Sequence, residues 1–127
     1  MLYAILCYDS EDVVGAWTKE EEDGTMARLG AVQDKWQAEG RLGPVARLMP
    51  TTAAVTLRKG AEPIVLDGPF AETKEQLLGF YMVECADLDG ALDAARDLAK
   101  ASSSAGAFEI RPVMLLRPGG TAGAPAA

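Results

Sequence analysis

Hydrophobic positions run almost unbroken from Leu2 to Asp9 (LYAILCYD). The run is too short for a helix and rich in aromatic and apolar residues, so it predicts a buried first strand. The acidic DSED ends it. Thr18-Lys19-Glu20-Glu21 then has capping-box form, with the Thr hydroxyl and the Glu carboxylate each placed to satisfy an orphan backbone donor of a new helix. Met26, Leu29, Val32 or Gln33, and Trp36 recur at helical spacing, and Gly40 is placed to close the segment. Gly24 and Gly30 weaken this helix, each by ~1 kcal/mol relative to Ala.

The pattern then changes period. GPVARLMP predicts a short extended passage that Pro44 and Pro50 keep out of a central ladder. Ala53–Arg58 and Pro63–Leu66 flank Lys59–Glu62 as a hairpin flanks its loop. Thr73 and Gln76 repeat the S/T-x-x-E/Q signature, predicting a single helical turn over Lys74–Leu78, stopped by Gly79. Phe80–Leu88 reads as a strong strand and Asp87 as the N-cap of a second long helix. That helix has an apolar stripe of Leu88, Ala91, Leu92, Ala95, Leu98 and Ala99. SSSAG breaks it, and Ala107–Leu116 alternates as a last strand.

The resulting order, β-α-β(β)-(short α)-β-α-β, implies an α+β ferredoxin-like sandwich with two helices on one face of a mainly antiparallel sheet. The strands carry a second apolar set, for which Ile5, Cys7, Val83 and Cys85 are the expected members. That set faces solvent unless another copy covers it, so a homodimer packed sheet to sheet is expected. One domain over residues 1–117 is expected, followed by a mobile or partner-stabilised Pro/Gly/Ala-rich tail over 118–127.

Composition narrows the function. A formal charge of −7 and no histidine in 127 residues argue against direct nucleic-acid binding and remove Ser-His-Asp, Cys-His and His-metal chemistry. Two cysteines, Cys7 and Cys85, cannot form a four-ligand zinc site and are expected as buried reduced thiols. No metal or cofactor is expected. The absence of a long apolar run or a signal-peptide start places the chain in the cytoplasm, off the membrane.

Asp67–Gln76, DGPFAETKEQ, is the densest polar motif. Asp67-Gly68-Pro69 has the chemistry of a sharp corner, and Phe70 is expected to anchor that corner in the core. Asp67 is either a turn residue or a general base or ligand acceptor, and Lys74 either a salt-bridge partner or an anion site or base; these two are the catalytic candidates. Glu72 and Glu75 are solvated charges or paired carboxylates, and Thr73 a helix cap. Tyr8 and Tyr81 either bury their rings or line a cleft, while Arg41 and Arg111 are structural or clamp an anion. Together Asp67, Glu72, Lys74, Tyr8, Tyr81 and Arg41 are the expected ligand-binding set.

Asp67-Gly68-Pro69-Phe70, Glu72-Thr73-Lys74-Glu75-Gln76, Gly79-Phe80-Tyr81, Asp87-Leu88-Asp89 with Ala91, and Glu109-Ile110-Arg111-Pro112-Val113 resemble the YCII-related proteins, in the branch named for its D-G-P-F motif. The resemblance implies a dimeric α+β barrel. Some relatives in the wider group are thought to use a His/Asp pair for acid/base chemistry on small ring compounds. This chain has no His and carries Ala38 where those relatives have the Asp before Glu39, so the pair is not carried over. Members of the branch also tend to be encoded beside extracytoplasmic-function sigma factors, so the resemblance implies a regulatory partner role as well. Two functions follow as expectations. The first is a pocket for a small polar or cyclic metabolite, with His-independent acid/base activity. The second is a non-enzymatic module acting on a sigma factor or similar regulator.

Overall fold

The computed structural model describes residues 1–120. Its elements are β1 (Leu2–Asp9), α1 (Glu11–Gly15), α2 (Lys19–Ala38), β2 (Leu42–Arg47), β3 (Val55–Arg58), β4 (Ile64–Asp67), β5 (Gln76–Glu84), α3 (Leu88–Ala101) and β6 (Ala107–Pro112), with one 3-10 turn at Thr51–Ala53. Residues 121–127, most of the expected tail, lie outside the described residues.

A four-stranded sheet of order β2-β5-β1-β6 carries the fold, antiparallel at each junction, with β3-β4 as a separate two-stranded sheet. This order is compatible with a ferredoxin-like α+β sandwich. The Thr18 capping box forms as the sequence predicts, Gly40 follows the end of α2 at φ +71, and the Asp87 side chain accepts from the Gly90 N–H at 2.9 Å. β2 lies at the sheet edge and is irregular between Leu42 and Val45, where Pro44 interrupts the ladder. α1 is not predicted by the sequence pattern; the Ser10 side chain caps it.

Three expectations are corrected. First, Lys74–Leu78 is not a helical turn, because Gln76–Glu84 finds a long-range partner in β1, from Gln76 opposite Asp9 to Glu84 opposite Leu2. The Thr73 hydroxyl bonds the Glu75 carbonyl, and Gln76 Nε2 donates to the Thr73 carbonyl at 2.6 Å, so the signature closes a loop. Second, Ile5, Cys7, Val83 and Cys85 do not face away from the helices; Cys7 lines a space shared with α2. Ile5, Val83 and Cys85 are buried with Tyr3, Trp36, Ala91 and Leu98, which leaves Leu2, Ala4, Leu6, Phe80 and Met82, the alternating set, on the other face. Third, Phe70 is 75% exposed, with the Arg58 guanidinium 5.4 Å from its ring centroid. A two-stranded hairpin has no core for it to reach.

Smaller differences have equally local causes. The last strand stops at Pro112 because β1, its only neighbour among the described residues, begins at Leu2; Val113 N–H donates to the Leu2 carbonyl at 2.9 Å just beyond it. The buried stripe of α3 is Ala91, Ala94, Ala95, Leu98 and Ala101, while Leu88 is exposed. Small side chains there let α3 lie close on β5 and β6.

Candidate functional site

A cavity of about 260 Å³ lies between the helices and the end of the sheet where β1 stops. Cys7, Tyr8 and Tyr81 line it from the sheet, Leu29 and Gln33 from α2, and Trp17 from the link between α1 and α2. Two features of the backbone shape it. The register of β1 against β5 shifts between Cys7 and Tyr8. Three consecutive residues, Cys7, Tyr8 and Asp9, therefore all line the cavity, where strict alternation would turn the middle one away. Gly79 sits opposite Cys7, and a Cβ there would collide with the Ala46 carbonyl oxygen. Only glycine lets β2 and β5 approach at this point.

Two groups facing this space, Cys7 and Tyr81, hold their protons at neutral pH. Burial pushes the Cys7 thiol up to about 12. Burial is also the main reason the Tyr81 phenol rises to about 12; the charge of Cys7 adds to it and Arg47 opposes it. The Tyr81 ring packs edge-on against Trp36, centroids 6.2 Å apart, which fixes its position. Charges at the cavity are engaged elsewhere. Asp9 accepts from the Ser10 N–H at 2.8 Å, and Arg47 pairs with Glu22 at 2.8 Å. At neutral pH the cavity thus presents aromatic walls and neutral hydrogen-bond donors, with Asp9 and Arg47 at its lining already partnered. Among the described residues, no three His, Cys, Asp or Glu side chains converge in a way that could hold a metal ion.

Of the residues expected to bind ligand, Tyr8 and Tyr81 come together here and the others do not. Asp67, Glu72 and Lys74 are exposed on β4 and the loop after it, as are Thr73 and Glu75. At the corner itself, Gly68 adopts φ +96 and its carbonyl accepts from the Thr56 hydroxyl at 2.8 Å. Arg41 lies beyond the end of α2, where it donates to the Glu84 carbonyl at 2.9 Å, to Glu39 at 3.1 Å and to Cys85 Sγ at 3.5 Å. Arg111 pairs with Glu109 on β6 at 3.4 Å.

Trp17, Gln33, Asp9 and Arg47 also line the cavity and are absent from the expected set. Trp17 does leave a sequence signal. It stands just before the N-cap, where an apolar residue often packs on one four positions into the helix, and that position is Glu22. With no staple partner, its ring has to find cover elsewhere. No comparable local signal marks Arg47, which reaches the cavity through pairing with Gly79 across the sheet.

The pattern of the YCII-related domain matches residues 1–117. A protein of Rhizobium meliloti (strain 1021), named only as an uncharacterized protein, is 62% identical over 120 residues, spanning 94% of this chain and 97% of its own length.

Proposed function

The chain belongs to the YCII-related family, and from that premise we propose that it is a cytoplasmic homodimer of the D-G-P-F branch that binds a small, ring-bearing metabolite in the cavity between sheet and helices. The observation that carries this reading is the convergence of Tyr8, Trp17, Gln33 and Tyr81 on one apolar space. With Cys7 and Tyr81 protonated up to about 12, neither is a base at neutral pH, and the one carboxylate of the lining, Asp9, already accepts the Ser10 N–H, which favours binding over turnover. Dimerisation is supported by the sheet face opposite the helices, where Ala4 pairs with Met82 and Leu6 with Phe80. Two such faces packed together would close a dimeric α+β barrel.

Native mass spectrometry of the full chain, as purified and with a panel of hydroxylated ring compounds, tests both parts. A dimer carrying one ligand per chain is expected. Leu29→Trp, which fills the cavity, should lose the ligand and keep the dimer, while Leu6→Glu should give a monomer. A dimer that stays empty across the panel refutes the ligand reading, and a monomeric parent protein refutes the dimer.

The hairpin favours a second reading, an interaction module for a sigma factor or similar regulator. Val55, Leu57, Ile64, Val65 and Leu66 are all 47–65% exposed, and Asp67 at the end of β4 and Glu72 and Lys74 in the loop after it are exposed as well. A regulator binding there should be lost in Leu57→Asp with dimer mass and ligand occupancy unchanged.

A further inference from the structure

We infer that the cavity selects an uncharged one-ring compound carrying a hydrogen-bond acceptor, such as a ketone oxygen, in preference to an organic anion or cation of the same size. The inference rests on reading the cavity as the ligand site.

Size is set by volume. An apolar cavity of about 150 Å³ holds benzene, so about 260 Å³ suits one substituted ring. Ring character is set by the walls, where Tyr8, Trp17, Tyr81 and Phe108 supply aromatic surface.

Charge selection follows from which groups are already engaged. Of the residues lining the cavity, only Asp9 and Arg47 are charged. Arg47 is paired with Glu22 and also donates to Met26 Sδ at 3.5 Å, so it is not held ready for an anion. Asp9, Arg47 and Glu22 together leave one negative charge, which repels a carboxylate. A cation is drawn by that charge, but a bound ammonium would lose its hydration against apolar walls, and this loss opposes the attraction.

The neutral polar groups point to an acceptor on the ligand. Thr25 bonds Ser103 at 2.7 Å, and Ser102 bonds Ser104 at 2.9 Å. The hydroxyls of Tyr8 and Tyr81, the Trp17 indole N–H and the Gln33 amide belong to half-buried residues of the lining, and no buried side-chain N or O among the described residues lacks a partner, so any of the four without a protein partner is open to water. Each of the four can donate, and the indole can only donate. A ligand oxygen can take the place of that water.

Titration of the full chain at neutral pH with acetophenone, benzoate and phenyltrimethylammonium, followed by the Trp17 indole resonance, tests the inference. Acetophenone is expected to bind at least ~10-fold more tightly than either ion. Tyr81→Phe is expected to weaken it roughly 2- to 12-fold by removing one donor, and Leu29→Trp to abolish it. Ala99→Leu, a milder filling of the same space, takes the place of Leu29→Trp if that variant does not fold. If either ion binds as tightly as acetophenone, the charge selection is overturned while the cavity stands as a site. If none of the three binds, or if filling the cavity leaves binding unchanged, the ligand-site reading falls and this inference falls with it.

Discussion

Ile5 in β1 is fully buried, whereas Leu57 in β3 is 59% exposed, although both sit mid-strand among apolar neighbours. The difference lies in what each ladder can reach. β1 is paired on both edges and covered by α2 and α3 through Trp36 and Leu98. The β3–β4 ladder has four residues per strand and, among the described residues, no third strand paired to it. An isolated hairpin is marginal in water, so this one is held mainly at its stem. There the Gly68 N–H donates to the Ala54 carbonyl at 2.8 Å, and Glu11 accepts from the Thr51 N–H and hydroxyl at 2.8 and 2.7 Å. Strand propensity thus produced two kinds of surface in one chain, one spent on a core and one left for contact.

The largest effect should come from truncating each region. Trp36→Ala, which empties a fully buried site, is expected to cost about 3–5 kcal/mol in urea unfolding. Leu57→Ala should stay within about 0.5 kcal/mol. Comparable losses at both positions would mean that the hairpin is covered in solution, and the contrast would dissolve.

A glycine pair sharpens the same point at intermediate scale. Alanine at Gly79 brings a Cβ against the Ala46 carbonyl, whereas Gly60 in the hairpin loop has nothing within 4 Å and no positive φ. Gly79→Ala should cost about 1–3 kcal/mol as β2 shifts and should weaken ligand binding with it. Gly60→Ala should be neutral or stabilise by up to about 1 kcal/mol. Thermal unfolding of the two variants side by side decides this.

At neutral pH the smallest effect is titration. The fold favours the protonated forms of Cys7 and Tyr81, whose values rise from 9.0 and 10.0 to about 12. Their contribution is therefore complete below pH 9 and is lost as pH climbs toward 12. Unfolding free energy should be flat in this respect between pH 7 and 9 and fall above it. Cys7→Ala should make that fall shallower, and Leu57→Ala should leave its shape unchanged. A Cys7→Ala profile that falls as steeply as the parent's would remove the buried thiol as a cause.

The sequence by itself determined the features whose partners lie within a few residues. These are the Thr18 capping box, Gly40 after α2, the Asp87 cap of α3, the hairpin, Gly68 at positive φ, and the element order compatible with a ferredoxin-like sandwich. Tertiary structure alone decided which side of each strand became core. LYAILC is apolar on both faces, so alternation fixes the period without fixing the face, and only the helices over Tyr3 and Ile5 break the tie. Thr73-x-x-Gln76 met the same limit. Its local bonds suit a helix start or a loop, and pairing of Gln76–Glu84 with a strand some 75 residues earlier in the chain chose the loop. The candidate site was legible only as Tyr8 and Tyr81. The register shift beside Cys7, the approach of β2 over Gly79 and the arrival of Trp17 and Arg47 all depend on long-range register, which no spacing within one segment encodes.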